Sequence, residues 1–174
     1  MITLTDTDVV RLLRKNNLNS DTLQENVVAK LREKGVKLAT AESCTGGLLS
    51  ERITAVSGAS DVFDFGVCTY ANEMKHKVLG VSNETLSVLG AVSAETAMQM
   101  AEGARNVSGA DLAVSTTGIA EKPVGLVYCG ISTKDKSYAI KLMLGGNINM
   151  VNSRGYIRKL TSDAVLLTIL SILQ

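Results

Sequence analysis

Apolar residues recur at helical spacing in several segments of the chain. The clearest segment is residues 20–34, which begins at Ser20, a candidate helix cap, and stops before Gly35. Its apolar positions fall on one face, as in an amphipathic helix that packs on a core. The residues of this face are Leu23, Val27, Val28 and Leu31. The same kind of pattern predicts helices at residues 5–17, 47–56, 72–79, 82–90, 93–109 and 153–173.

Runs of β-branched and other apolar residues predict strands between these helices. Three such runs, at residues 36–42, 64–71 and 111–117, alternate with helices. The segments 124–133 and 137–144 flank the polar tripeptide KDK, which is typical of a β-hairpin. Strands that are separated by helices should pair in parallel, whereas the hairpin adds antiparallel neighbours.

The order of these elements predicts an α/β fold whose mixed sheet is covered by helices on both faces. Residues 1–19 are expected to form a helical appendage, and residues 20–174 a single domain. A chain of 174 residues is long enough to bury a core without disulfides or metals. Aromatic residues make up only 3% of the sequence, so that core must be mainly aliphatic.

Composition excludes several classes of function. Eighteen basic and seventeen acidic residues give a formal charge of +1, which argues against nucleic-acid or anionic-membrane partners. No apolar run approaches the roughly 18 residues that a membrane span needs. The N-terminus carries charges where a signal peptide is apolar, so we expect a cytoplasmic protein. Three scattered cysteines and one histidine predict neither a disulfide framework nor a metal site.

The stretch AESCTGG places Ser43 where a predicted strand ends and a helix begins. Ligands of open α/β sheets bind at this edge, so Ser43 is a candidate nucleophile. Gly46 and Gly47 carry no side chains, and their amides are expected to approach a bound oxygen or a developing oxyanion. The competing interpretation is that Ser43 or Thr45 merely caps the helix. Cys44 is expected to be packed rather than reactive.

The stretch TYANEMKHK supplies a candidate base. Tyr70 ends a predicted strand, and Lys75 falls in the first turn of the next helix if Asn72 caps it. The positive end of the helix dipole disfavours a charged lysine there, and partial burial would lower its pKa further. The competing interpretation is a solvated lysine beside Glu73. The neighbouring His76 is expected at the surface.

Two further stretches place polar groups near the same edge. Thr117 and Gly118 end the third predicted strand, in line with the end that carries Ser43. Arg154 and Arg158 lie one turn apart on the last helix, and guanidinium groups suit phosphate, although paired helical arginines are often just solvated. Without a histidine triad or a metal, a Ser–Lys pair is the economical route to acyl transfer.

Five motifs in this chain resemble the C-terminal domain of the competence/damage-inducible CinA family. They are AESCTGG, TYANEMK, LGVSNETL, GAVSAETAMQMAEGA and TTGIAEKPVG. The resemblance runs from about residue 20 onward and implies a three-layer α/β/α sandwich. Stand-alone members of the family are nicotinamide-nucleotide amidohydrolases. The resemblance therefore implies that nicotinamide mononucleotide is hydrolysed to nicotinate mononucleotide and ammonia, without a cofactor or metal.

The resemblance also implies a Ser–Lys mechanism. In that mechanism Ser43 attacks the amide carbonyl, Lys75 takes the proton of Ser43, and Tyr70 positions or relays it. Thr117 matches a family hydroxyl that would help to hold the substrate or the nucleophile, and Arg154 is expected on the substrate phosphate. The full set of residues expected to contact the substrate is Thr45, Gly46, Thr117, Gly118 and Arg154.

Two departures from the family pattern leave alternatives open. The family's glycine-rich loop is missing where Ala120 runs directly into Glu121, and this shortening would open the site and cost activity. The segment before Arg154 is longer than in the family, and an ungapped alignment would place Ile148 at the arginine position. A nucleotide-binding relative without turnover is the non-enzymatic alternative, and an amidase for another small carboxamide is the third. A homodimer is expected.

Overall fold

The computed structural model describes residues 1–120, 125–145 and 153–174. Within these residues the chain forms seven helices and six strands, together with a short 3-10 helix at Ala59–Asp61. In chain order the elements are β1 (Thr3–Thr5), α1 (Asp6–Lys15), α2 (Leu23–Lys34), β2 (Leu38–Glu42), α3 (Leu48–Thr54), β3 (Phe63–Cys68), α4 (Asn72–Leu79), α5 (Asn83–Val88), α6 (Ala94–Ser108), β4 (Leu112–Gly118), β5 (Gly125–Ser132), β6 (Ser137–Leu144) and α7 (Ser153–Ile172).

The strands form one mixed sheet in the order β1-β6-β5-β4-β2-β3. β2 pairs in parallel with both β3 and β4, because helices return the chain to the same end of the sheet. β4, β5 and β6 are antiparallel neighbours, and the short loop between β5 and β6 is the predicted hairpin. The α/β fold with a mixed sheet is therefore confirmed.

Helices cover both faces of the sheet, which gives three layers. On one face α1, α2, α3 and α7 surround the main apolar cluster, which includes Leu31, Leu38 and Leu166. On the other face α4 and α6 pack on a smaller cluster that contains Ala39 and Ala41. Leu38 of β2 lies in the main cluster, Ala39 and Ala41 lie in the smaller one, and every residue of this strand is buried. Each buried leucine contributes about 1.5–3 kcal/mol relative to an exposed one.

Most helix boundaries follow the local signals of the sequence. The hydroxyls of Ser82 and Ser93 cap α5 and α6, and Gly35 ends α2 in the left-handed conformation with φ of 63°. The prediction that Ser20 caps α2 is wrong. α2 begins further along the chain, and the Ser20 hydroxyl donates instead to the carboxylate of Asp163.

The N-terminal segment contains the predicted helix and a strand that was not predicted. α1 begins with a capping box in which Thr5 and Asp8 exchange hydrogen bonds, and its Val9 lies in the main cluster. β1 pairs in parallel with the edge of β6. The division into an appendage at 1–19 and a domain at 20–174 stays a prediction.

Candidate active site

The carboxyl ends of three neighbouring parallel strands lie side by side at one edge of the sheet. Glu42, the last residue of β2, is in register with Cys68 on β3 and with Thr116 on β4. Parallel strands end at the same edge, so the residues that follow them are brought together. Ser43 follows β2 directly, and Tyr70 comes shortly after β3.

A buried lysine lies within hydrogen-bonding distance of the candidate nucleophile. Nζ of Lys75 is 3.0 Å from Oγ of Ser43, and it also contacts the backbone carbonyls of Thr69 at 2.9 Å and Tyr70 at 3.1 Å. Lys75 is only 1% exposed. The competing interpretation of a solvated lysine beside Glu73 is therefore wrong.

The environment of Lys75 favours its neutral amine. Burial lowers the pKa of Lys75 from its ordinary value of 10.5, because desolvation penalises the ammonium, and the thiols of Cys44 and Cys68 oppose this shift. A neutral amine has two hydrogens to donate to the two carbonyls, and its lone pair is then directed to the hydroxyl of Ser43. This arrangement has the geometry that a general base needs beside a hydroxyl.

Neither hydroxyl of the turn caps α3. The residue at the cap position is Gly47, with φ of 92°, and it has no side chain to accept a hydrogen bond. Oγ of Ser43 faces Lys75, whereas Oγ1 of Thr45 lies 2.6 Å from Oγ1 of Thr116 in the protein interior. The interpretation of Ser43 or Thr45 as a mere helix cap is wrong.

The glycine amides of the turn are occupied by protein oxygens. The N–H of Gly46 donates to the carbonyl of Ser43 at 3.0 Å, and the N–H of Gly47 donates to the carboxylate of Glu42 at 3.1 Å. Both amides thus have an acceptor within the protein, and the predicted approach of Gly46 and Gly47 to a bound oxygen stays a prediction. In contrast, no oxygen of the described residues accepts a hydrogen bond from the amide of Cys44.

Two arginines from the start of α7 reach this edge. Arg154 is exposed, and its guanidinium donates to the phenol oxygen of Tyr70 at 2.8 Å. Arg158 donates from Nε and Nη2 to the carbonyl of Thr45 at 3.1 and 2.6 Å. Tyr70 thus contacts Lys75 through its backbone carbonyl, while its phenol contacts Arg154.

Thr117 and Gly118, at the end of β4, each have a contact within the protein that accounts for the residue type at that position. Oγ1 of Thr117 donates to the carbonyl of Ala91 at 2.6 Å. A Cβ on Gly118 would lie 2.5 Å from the carbonyl oxygen of Leu126, so the close approach of β5 requires glycine there. The substrate contacts predicted for Thr117 and Gly118 stay predictions.

A comparison of the sequence with known families decides the classification. The sequence profile of the CinA C-terminal domain matches residues 20–171. The chain therefore belongs to the CinA family.

Individual relatives and solved structures agree with the CinA assignment. The chain is 53% identical over 144 residues to a protein of Caldanaerobacter subterraneus subsp. tengcongensis named as competence-damage inducible, and 48% identical over 144 residues to a CinA-like protein of Kosmotoga olearia. Each alignment covers 79% of this chain and 35% of the relative. The chain thus spans about a third of the length of these curated relatives.

Two crystal structures of CinA relatives share the fold. The competence/damage inducible protein CihA from Agrobacterium tumefaciens superposes with a TM-score of 0.81 at 36% identity, over 89% of this chain and 96% of that chain. The competence or damage-inducible protein from Enterobacter asburiae superposes with a TM-score of 0.82 at 26% identity, over 90% of this chain and 99% of that chain.

Several groups at the candidate site of this CinA chain were not predicted from the sequence. They are the carboxylate of Glu42, the carbonyl of Thr69, the hydroxyl of Thr116 and the contact of Arg158 with the turn. Of these, Glu42 alone carries a signal in the sequence, since it is an acidic residue at the end of a buried apolar strand. The others depend on contacts between distant segments.

Two predictions from the sequence concern residues of the CinA domain that lie outside the described ones. The junction of Ala120 with Glu121, where the family's glycine-rich loop is missing, involves residues 121–124, which lie outside the described residues. Ile148, the alternative to Arg154 in the alignment, also lies outside them.

The remaining features of the CinA chain concern cysteines, metals and membranes. Cys44 is packed as predicted, and burial raises the pKa of its thiol to about 11. Residues 1–120, 125–145 and 153–174 contain no group of three or more His, Cys, Asp or Glu side chains that could hold a metal ion. The helices in the same ranges include none with the length and apolar character of a membrane span.

Proposed function

We propose that this CinA-family protein is an amidohydrolase that converts nicotinamide mononucleotide to nicotinate mononucleotide and ammonia. The observation that carries the proposal is the 3.0 Å separation of Oγ of Ser43 from Nζ of Lys75 at a buried strand end. A hydroxyl beside a desolvated amine is the pair that acyl transfer needs when neither a histidine nor a metal activates the nucleophile. The choice of nicotinamide mononucleotide as the substrate rests on the resemblance of the motifs to those of nicotinamide-nucleotide amidohydrolases.

In the acylation step the neutral amine of Lys75 takes the hydroxyl proton as Oγ of Ser43 attacks the carboxamide carbon. The tetrahedral intermediate then collapses, the carbon–nitrogen bond breaks, and the ammonium of Lys75 returns the proton to the leaving nitrogen. Ammonia departs and leaves an ester on Ser43. The carbonyls of Thr69 and Tyr70 hold Nζ in place throughout this exchange.

In the deacylation step a water molecule attacks the ester carbon, and Lys75 takes its proton. The ester bond breaks, Ser43 recovers its hydrogen from Lys75, and the carboxylic acid that forms loses its proton to water and leaves as nicotinate mononucleotide. Both tetrahedral intermediates carry an oxyanion that needs donors. The amide of Cys44 is our candidate donor, because it follows the nucleophile and no described oxygen accepts from it.

The substrate phosphate is assigned to Arg154. This residue is exposed at the same edge, and its hydrogen bond to the phenol of Tyr70 holds the guanidinium near the strand ends. A guanidinium presents a planar set of donors that suits phosphate. Arg158 donates two hydrogen bonds to the carbonyl of Thr45, so we propose that it holds the turn and does not bind the substrate.

The purified protein is expected to release ammonia from nicotinamide mononucleotide without added metal. A coupled ammonia assay measures this release, and chromatography identifies nicotinate mononucleotide as the second product. Binding of the nucleotide in calorimetry without release of ammonia would contradict the proposal and support a binding protein. Release only from other small carboxamides would overturn the choice of substrate.

Changing Arg154 to alanine is expected to raise KM for nicotinamide mononucleotide by about 10- to 100-fold, with a smaller effect on kcat. The reason is the loss of a phosphate contact that is formed equally in the ground state and the transition state. Steady-state kinetics with nicotinamide riboside, which lacks the phosphate, should give equal KM values for the variant and the unmodified protein.

The matched control for this change is Lys159→Ala. Lys159 is an exposed cation of the same helix, and it pairs with Asp21. Its loss should leave both kinetic constants unchanged. An equal rise of KM for the nucleotide and the riboside in Arg154→Ala would contradict a phosphate contact.

The cytoplasmic location, the homodimer and the small-molecule partner expected from the sequence stay predictions.

A further inference from the structure

A buried carboxylate lies directly beside the candidate nucleophile and is not used by the proposed chemistry. Oε2 of Glu42 accepts hydrogen bonds from the amides of Gly47 at 3.1 Å and Leu49 at 3.0 Å. Oε1 accepts from the amide of Ser50 at 2.8 Å and from its hydroxyl at 2.6 Å. Glu42 is 0% exposed, so these four donors replace the water that would otherwise solvate it.

This burial of a charge is costly. No lysine or arginine of the described residues forms an ion pair with Glu42, so its compensation comes from amides, a hydroxyl and the dipole of α3. At a helix whose cap residue has an extended backbone, a serine or aspartate ordinarily satisfies such amides from the surface, without an ion inside the protein. Capping alone therefore does not account for a carboxylate that reaches α3 from the preceding strand.

The contacts of Glu42 close the turn that carries Ser43. Its side chain holds α3 at one end of the turn, and its own backbone is fixed in the sheet at the other end. Between these points Gly46 and Gly47 adopt φ of 59° and 92°, a sharp bend that favours glycine. The position of the Ser43 hydroxyl is thus determined by a loop that the carboxylate closes.

The backbone of Glu42 also determines where the base lies. Its carbonyl accepts a hydrogen bond from the amide of Thr69 at 2.9 Å. The carbonyl of Thr69 in turn accepts from Nζ of Lys75 at 2.9 Å. One residue therefore connects the segment of the nucleophile with the segment that orients the amine.

We propose that Glu42 is a positioning residue, whose carboxylate holds the hydroxyl of Ser43 at the amine of Lys75. This inference rests on the proposed amidohydrolase function. It differs from a capping role in one measurable respect. A cap affects the stability of the fold, whereas a positioning residue affects the reactivity of Ser43 in protein that is already folded.

Glu42→Gln is the direct test. The glutamine side chain keeps the size of Glu42, but its amide nitrogen would face N–H donors of α3 and leave them without an acceptor. We expect kcat for nicotinamide mononucleotide to fall on the order of 10²-fold, with KM changed by less than about 3-fold. Labelling of Ser43 by a fluorophosphonate, followed by intact mass, should slow by a similar factor, and this reading does not depend on the substrate.

The matched control is Glu51→Gln, which removes an exposed carboxylate from the first turn of α3. It should leave the labelling rate and kcat unchanged. Folded Glu42→Gln protein that is labelled at the rate of the unmodified protein would overturn the inference. Circular dichroism and thermal unfolding establish whether the variant is folded.

A second variant decides the question if Glu42→Gln does not fold. Ser50→Ala removes the hydroxyl bond to Oε1 of Glu42, together with the 2.8 Å contact of the same hydroxyl with Oγ1 of Thr40, and leaves the three amide bonds in place. We expect labelling of Ser43 to slow by roughly 5-fold, and an unchanged rate would overturn the inference. If no nicotinamide mononucleotide is hydrolysed by any of these proteins while labelling still depends on Glu42, the proposed reaction fails but the positioning role holds.

Discussion

Ser43→Ala is expected to abolish the release of ammonia from nicotinamide mononucleotide, with kcat reduced by at least about 10³-fold. The change removes the oxygen that lies 3.0 Å from Nζ of Lys75. The hydroxyl of Thr45, the nearest alternative along the chain, is bonded to Thr116 inside the protein and cannot replace it. The coupled ammonia assay under substrate saturation measures the effect.

Binding should survive this change, because alanine removes the nucleophile and leaves the proposed phosphate contact of Arg154 intact. Calorimetry is therefore expected to give a dissociation constant for nicotinamide mononucleotide within about 3-fold of that for the unmodified protein. Ser87→Ala is the matched control, since Ser87 is an exposed serine on α5. Retention of more than a tenth of the turnover by Ser43→Ala would show that another group attacks the amide.

Local signals predicted most of the fold. The caps Ser82 and Ser93, the stop at Gly35 and the hairpin between β5 and β6 each depend on residues within one turn or loop. β1 was missed because it has only three residues and is defined by its pairing with β6, more than a hundred residues away. A short edge strand of this kind has no periodicity to recognise.

The candidate site was predicted in part. The rule that parallel strands end at one edge of a sheet predicted that Ser43, Tyr70 and Thr117 lie near each other. The burial of Lys75 could not be read from α4, because its neighbours in sequence, Met74 and His76, are both exposed. It depends on how the first turn of α4 packs against the ends of the strands, which is a tertiary contact.

The glycine amides of the turn were expected to be open to a ligand, and the structure shows an acceptor for each of them within the protein. Amides at the start of a helix are open to a ligand only if no side chain reaches them first. In this chain the carboxylate of Glu42 reaches those of Gly47 and α3 from the preceding strand. An acidic residue within the buried strand LATAE was the available signal, because a buried charge must find donors nearby.

Lys75→Met is expected to lower kcat nearly as much as Ser43→Ala, by about 10³-fold. Methionine has a similar length and fits a buried position, but it has no lone pair that can take the proton of Ser43. KM should change little, because Nζ contacts protein oxygens and lies apart from the phosphate contact proposed for Arg154. The ammonia assay and a thermal unfolding curve of the variant measure these effects together.

The pH profile separates a base from a purely structural lysine. Only the neutral amine can accept a proton, so kcat/KM should rise about tenfold per pH unit below the pKa of Lys75 and then level off. Burial lowers that pKa, and the plateau should therefore begin below 10.5, the ordinary value for lysine. Lys77→Met, which removes an exposed lysine of the same helix, should leave the profile unchanged. Near-normal turnover in Lys75→Met, or the same pH dependence in its residual activity, would contradict the assignment of Lys75 as the base.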